Sequence, residues 1–428
     1  MIVGLALNLT AVTAMDFHDK LKEYFGGNKR RLAKERDVTL CLGNEACDVD
    51  SFISSLVTAI HDNAIHVVCM NRDVFEAKGD VGYVLDHFGI DRDDLVYLER
   101  PIGNLTTEQR RDVTRLNTYE GGRLKESRRL SSYDPRLIIV DHNVPVDELK
   151  EYTIDLIVDH HELARESIRA RRMYIDLDVG SCSTLISKYI GHSLTTNKAN
   201  KSSDFESATF VSHIAKMLLV PIVLDTSNFK RRASHFDLGE FERLLGQSST
   251  SRKELLAIRK GIRKGRLNDE GLPNDIIMQK DFKVYHHRGL NFGCATVKYK
   301  TKKWVERELK KNVNMESYLN DFRRRHGLDF LFVNRKKGRK RWLTVVNCTF
   351  EKMLAEENGF KAVEYKGLHY YKIDVKLSRK VMMPIVLKTI DRIYKKMKKR
   401  GEAREKEIET GLSLEEIRKE LDEEKREK

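Results

Sequence analysis

Short apolar runs alternate with longer amphipathic stretches through the first half of the chain. Val38–Leu42 (VTLCL), Ile65–Met70 (IHVVCM), Leu137–Val140 (LIIV) and Ile154–Val158 (IDLIV) are brief, rich in β-branched residues and bounded by polar segments, which is the pattern of buried strands. Ser51–Ile60 (SFISSLVTAI) reads as a buried helix just after the first of them. Such alternation predicts an α/β fold, a mostly parallel sheet with helices on both faces. Thr195–Ser207 is polar and predicts a loop leading into a helix, and the polar run Gln247–Ser251 marks a boundary. Beyond it, strand candidates at Phe292–Val297, Leu328–Val333, Trp342–Cys348 and Tyr370–Val375 mix with helical patterns and predict a smaller α+β domain. The expected plan is an N-terminal extension (1–30), a parallel-sheet domain (31–235), a linker (236–252), an α+β domain (253–397) and a charged tail (398–428). Within the tail, Ser413-Leu414-Glu415-Glu416 has the form of a helix start.

Charge adds direction to this outline. The 79 Lys and Arg outnumber the 65 Asp and Glu, a formal net charge of +14, which favours a polyanionic partner without selecting one. Six scattered cysteines form no C-x-x-C pair, which argues against a disulfide framework or structural zinc site and suits a reducing compartment. The expected location is cytoplasmic, with an acidic-organelle or mitochondrial pool as the alternative. The opening MIVGLALNLTAVTAM lacks a basic n-region and reads as an extension rather than a secretory leader. No apolar run is expected to span a bilayer, so no membrane insertion is expected.

Candidate chemistry gathers where the strands end. The first strand runs into Gly43-Asn44-Glu45-Ala46-Cys47-Asp48-Val49-Asp50; Ile138–Val140 ends at Asp141; Ile157-Val158 ends at Asp159-His160-His161. Carboxyl ends of parallel strands share one edge, where ligands bind. Carboxylates there suit Mg²⁺ or Mn²⁺, and an imidazole tilts the choice toward Mn²⁺. A lone D-x-D is usually a solvated turn, and Asp-His-His alone is more often surface loop than ligand set. Their joint placement after β-rich runs gives them weight. A fourth apolar run closes in an acid at Pro221–Phe229 (PIVLDTSNF), with Asp225.

In order, GNEACDVDS, VDHN, VDHHE and PIVLDTSNF resemble the four motifs of the DHH phosphoesterase superfamily. GNEACDVDS resembles the branch of exopolyphosphatases and prune proteins; family II pyrophosphatases and RecJ-type nucleases are more distant. Ser378-Arg379-Lys380, followed by Pro384, is similar to the phosphate-binding motif of that family's C-terminal domain, and Lys283 stands where the domain often carries another cation. The resemblance extends from about Val38 to Leu387. It implies two divalent metal ions, Mg²⁺ or Mn²⁺. Asp48 would bind one, Asp50 the other, and Asp141 would bridge them, with His160 and Asp225 completing the second site. It assigns His161 to substrate phosphate and leaves His142 open between a ligand-supporting and a structural role. Asn44 stands where pyrophosphatases carry a metal-binding His, a departure shared with the exopolyphosphatase and prune branch that puts tight Mn²⁺ binding at the first site in doubt.

The resemblance thus implies a hydrolase. On that resemblance a water shared by two metals would attack a terminal phosphoanhydride bond of inorganic polyphosphate, with Asp141, His161 and Arg379 as catalytic groups. His161, Lys283, Arg379 and Lys380 hold phosphate, aided by Ser181 and Ser183 at a hydroxyl-rich helix start that could cradle an anion or simply cap the helix. The active site is expected in a cleft between the domains. Basic runs at Arg259–Arg266, Arg323–Arg325 and Arg335–Arg341, all placed in the second domain, would suit a long polyanion. The chain is expected to be a monomer. Alternatives are a prune-like enzyme acting on short polyphosphates or nucleotides, a pyrophosphatase, a nuclease, and a catalytically dead nucleic-acid-binding or scaffold protein. The full set of carboxylates disfavours the last, and nucleic acid is not the expected partner.

Overall fold

A computed structural model describes residues 2–103, 105–163, 169–195, 207–267, 269 and 271–399. The charged tail with its helix start at Ser413, and most of the loop expected at Thr195–Ser207, lie outside the described residues. The chain forms two compact units, Met1–Pro101 with Leu105–Arg266, and Leu267–Lys428 with Ile102–Asn104.

The first unit contains, in chain order, α1 (Ile2–Lys34), β1 (Thr39–Leu42), α2 (Val49–His61), β2 (Ile65–Val68), α3 (Arg72–Glu76), α4 (Gly79–Phe88), β3 (Val96–Glu99), α5 (Thr107–Val113), β4 (Arg115–Glu120), β5 (Arg123–Arg129), β6 (Arg136–Val140), β7 (Ile154–Asp159), β8 (Ala170–Ile175), α6 (Cys182–Thr195), α7 (Ala208–Asp225), α8 (His235–Gln247) and α9 (Arg252–Gly265). The sheet order is β5-β4-β3-β2-β1-β6-β7-β8. The pairs from β3 through β8 are parallel, whereas β3–β4 and β4–β5 are antiparallel. β1 lies between β2 and β6, so Leu40, Leu42, Ile65, Val67, Leu137, Ile139 and Ile157 enter one apolar cluster. Their burial, at roughly 25 cal/mol per Å² of apolar surface, is the main force holding the sheet edge in place.

Three expectations change here. The supposed linker is helix: α8 fills most of 236–252, the polar run joins it to α9, and Ser251 caps α9 by accepting from the Glu254 N–H. The first unit therefore continues to Arg266, and the basic run Arg259–Arg266 belongs to it rather than to the second unit. The expected extension is the start of α1, whose Phe17, Leu21, Phe25 and Leu32 are all buried. α7 is long and apolar enough to cross a membrane, contrary to the reading of the sequence. It is a core helix, packed against α2, α6 and α8 with Ile214, Leu218 and Ile222 buried. All six cysteines are buried free thiols.

The second unit contains α10 (Asn274–Gln279), β9 (Phe282–His287), β10 (Leu290–Val297), α11 (Thr301–Leu309), α12 (Met315–Arg325), β11 (Phe330–Lys337), β12 (Lys340–Val346), α13 (Glu351–Glu357), β13 (Lys361–Tyr365), β14 (Leu368–Ile373) and α14 (Arg379–Lys399). Its mixed sheet, β13-β14-β12-β11-β10-β9, is parallel at β10–β11 and antiparallel elsewhere. Alternate residues of β11 serve opposite faces. Phe330 and Phe332 pack with Met382, Val386 and Ile390 of α14, whereas Leu331 and Val333 pack with Trp304, Leu319 and Phe322.

α9 reaches α4 through glycines. A Cβ on Gly265 would lie 2.0 Å from the Gly79 carbonyl oxygen, and one on Gly261 would strike the Tyr83 ring. Backbone cannot yield there as a flexible side chain would. Gly265→Ala is expected to cost about 1–3 kcal/mol and to lower the melting temperature by roughly 2–4 °C per kcal/mol. An unchanged melting curve would contradict this seating of α9.

Candidate metal centre

Each acid reaches the site by a distinct local device. Asp48 is the N-cap of α2; one carboxylate oxygen accepts the Ser51 N–H at 3.1 Å. Asp50 follows in the first turn and is buried. Asp141 comes directly after β6 in a left-handed conformation, φ 63°, with its N–H bonded to the Val158 carbonyl. That conformation is uncommon for a non-glycine residue. His160 and His161 follow β7, and Asp225 is the last residue of α7.

The geometry converges on Asp141. His160 Nε2 lies 3.2 Å and His161 Nδ1 3.8 Å from its Oδ1, and these three residues are a group able to hold a metal ion. Oδ1 itself is buried and makes no hydrogen bond of good geometry. His160 Nδ1 faces the Val179 carbonyl at 3.2 Å. A carbonyl only accepts, so Nδ1 carries the proton and Nε2 faces Asp141, the orientation a metal ligand needs. His161 Nδ1 is bonded to Asp159 at 2.7 Å. Asp159 is held in turn by Asn143 Nδ2 at 2.7 Å.

Asp48, Asp50 and Asp225 lie close enough to act on one another electrostatically. Burial, then the charges of Asp50 and Asp48, push the Asp225 carboxyl well up, with Arg266 opposing. Burial, reinforced by the charges of Asp50 and Asp48 and opposed by the neighbouring His160, raises Asp141 to about 6. For His160, burial lowers the pKa, but Asp141 and Asp50 outweigh it and carry it up to about 10. Several carboxylates crowded together, one with an unbonded oxygen beside an imidazole, fit a divalent cation. The residues whose ligand atoms come together are Asp141, His160 and His161, and of the set expected from the sequence Asp48, Asp50 and Asp225 add negative charge close by.

Ser181 and Ser183 need correction. Both are fully buried, and both hydroxyls donate to Asp50 Oδ1, at 2.8 and 2.9 Å. The Cys182 N–H donates to Asp50 Oδ2 and the Ser183 N–H to Oδ1. The anion at the start of α6 is therefore the protein's own Asp50 rather than a substrate phosphate. The next layer of support was not anticipated. Arg100 bonds both Glu148 and Glu45, the latter at 3.1 Å, and so anchors the loop before Asp48. Lys78 Nζ donates to the Ala46 carbonyl at 2.6 Å, and Arg266 pairs with Asp80 at 2.8 Å. Lone cations among 79 carry no sequence signal; Asn143, in VDHN, did.

Asn44 is occupied on both sides. Its amide oxygen accepts the Ala46 and Cys47 N–H groups, and its Nδ2 donates to Asp141 Oδ2 at 2.7 Å. In the second unit, Arg379 Nη1 binds Asp281 through its carboxylate at 2.7 Å and its carbonyl at 3.0 Å. That places Arg379 at the start of β9, the strand bearing Lys283. Lys380 is exposed.

Family models match in the same two parts: the DHH family N-terminal domain over residues 39–222 and the DHHA2 domain over residues 261–389. The chain belongs to the DHH/DHHA2 phosphoesterases, a family that uses divalent metals. Among particular relatives it is similar to mouse exopolyphosphatase PRUNE1, 21% identical, with 94% of this chain and 86% of the relative covered. The human exopolyphosphatase PRUNE1 is 22% identical, with 88% and 81% covered. A Methanococcus jannaschii structure assigned to the family II inorganic pyrophosphatases has a TM-score of 0.53 at 18% identity, covering 80% of this chain and 95% of its own. At that identity the likeness concerns fold.

Asn44→Ala removes the donor to a buried carboxylate oxygen and the side-chain acceptor of the Ala46 N–H, while the Cys47 N–H keeps the Asn44 carbonyl at 2.9 Å. The metal-free protein is expected to lose about 1–3 kcal/mol, read as a lower denaturant midpoint. A midpoint equal to the parent's would contradict the role given to Asn44.

Proposed function

We propose that the protein is a metal-dependent exopolyphosphatase that removes terminal orthophosphate from inorganic polyphosphate. Asn44 carries this reading. Its position is where the sequence resemblance puts a metal-binding His in pyrophosphatases, yet its oxygen is committed to two backbone amides and its nitrogen to Asp141. The first metal position thus has a reduced donor set, as in the exopolyphosphatase and prune branch, and Mg²⁺ is a reasonable ion for it. The names of the PRUNE1 relatives agree with this branch.

Bound divalent ions would supply Lewis acidity and a lowered pKa for water. The chain's own residues do the rest. Asp141 sets where charge is concentrated; Asn44 holds one of its oxygens and His160 faces the other. Asp159 fixes the ring of His161, the group this reading gives to a phosphate oxygen. Arg379, restrained by Asp281, Lys380 and Lys283 are the cations this reading gives to the phosphates, where charge grows on the departing chain.

A side-by-side phosphate-release assay with Mg²⁺ tests it. Long polyphosphate should be turned over, with pyrophosphate and single-stranded nucleic acid poor substrates; preference for either would overturn the reading. Asp141→Ala should abolish turnover without unfolding the chain, and Arg379→Ala should weaken turnover or substrate binding while calorimetric metal binding persists.

A further inference from the structure

The first unit carries a second polar concavity. It has a volume of about 530 Å³ and lies between the turn that leaves Asp225 and the outer face of α9. Four cations line it: Lys230 and Arg231 from the turn, Arg259 and Arg263 from the helix. Ser227 and Asn228 add short polar side chains, and Leu256 is its apolar contribution.

Four observations mark it as more than solvated surface. None of the four cations has an acidic partner among the described residues, although the fold pairs many of its other arginines with acids. Arg259 and Arg263 stand one helical turn apart, a like-charged spacing that costs stability unless an anion offsets it. Arg259 Nε is buried with no hydrogen-bond partner, so the guanidinium keeps an unmet donor. The turn that supplies Ser227 and Asn228 is strained: these two and the next residue, Phe229, which does not line the pocket, take three successive left-handed conformations, φ 53°, 57° and 60°. Such residues cost of order 1–3 kcal/mol each and cluster where function requires them.

We propose that this pocket is an anion subsite that binds the internal phosphates of a polyphosphate chain. The inference rests on the exopolyphosphatase reading and adds to it a track for the part of the substrate not being cleaved. The strained turn connects the two sites directly: Asp225 ends α7, and the pocket wall begins two residues later. At the far end of α9, Arg266 acts electrostatically on Asp48 and Asp225. A pyrophosphate is fully engaged at one site and has no use for such a track. Single-stranded nucleic acid fits less well, because its binding sites stack bases on aromatic rings and this pocket has no aromatic lining.

Binding, measured without turnover, tests the subsite. Full-length Asp141→Ala protein is titrated with long-chain inorganic polyphosphate over a range of salt. Adding Arg259→Ala with Arg263→Ala should weaken binding about tenfold at low salt, and lower the slope of log affinity against log salt by about 1.4 for two lost contacts. Arg259→Glu with Arg263→Glu should weaken it further. Lys361→Ala with Lys388→Ala removes the same charge from exposed positions of the second unit and should leave affinity within twofold. Equal losses in the two alanine pairs, or none in the arginine pair, would overturn the subsite. So would tighter retention of a single-stranded oligonucleotide through the same two arginines. Because nothing is hydrolysed, the result stands apart from the phosphate-release assay.

Discussion

The constraint on which the first unit is built is the confinement of negative charge at one sheet edge. Asp141 and Asp50 are both buried, and Asp48 and Asp225 are half-buried close by. Like charges at short range in a poorly hydrated site repel strongly. The fold meets that cost locally. Asp50 takes four hydroxyl and amide donors from the start of α6, and a fifth bond from Ser54. Asn44 donates to one oxygen of Asp141, and His160 faces the other. What is left over is an oxygen of Asp141 without a hydrogen bond, which a divalent cation would satisfy.

Rigid neighbours hold this arrangement. β1, β6 and β7 deliver their terminal residues to a common edge because their apolar side chains share one core. Arg100 ties the Asp48 loop to Glu148, and Asp159 with Asn143 sets His161. α9 completes the unit from the other side. Its glycines allow backbone contact with α4, which carries Arg266 to Asp80 and turns Arg259 and Arg263 toward the pocket beyond Asp225. The basic helix and the carboxylate cluster are thus parts of one folded body.

Much of this was legible in the sequence, for physical reasons. β1, β2, β6 and β7 are buried on both faces, so their apolar runs are continuous and easy to read. β5 (RLKESRR) and β8 (ARRMYI) stand at the two sheet edges with mostly exposed side chains, so pairing is recorded only in their backbones. Asp141 and Asp225 were readable as metal candidates because each directly follows an apolar run, and Asp48 and Asp50 because they open the helix after the first strand. Ser181 and Ser183 were misread because a hydroxyl-rich helix start suits any anion, and the one it holds is Asp50, 131 residues before Ser181. The domain boundary was misplaced because Gln247–Ser251 is polar enough for a linker. It is a tight connection whose Ser251 caps α9.

The central claim is that the clustered acids and His160 form a divalent-metal centre organised by Asp141. Calorimetric titration of the metal-free, full-length protein with Mn²⁺ addresses it most directly. Two ions should bind per chain, the one at the Asp48 position more weakly, and Asp141→Asn, which keeps the shape and removes the charge, should weaken both events. Undiminished binding of two ions by Asp141→Asn, or no saturable binding by the parent protein, would contradict the account.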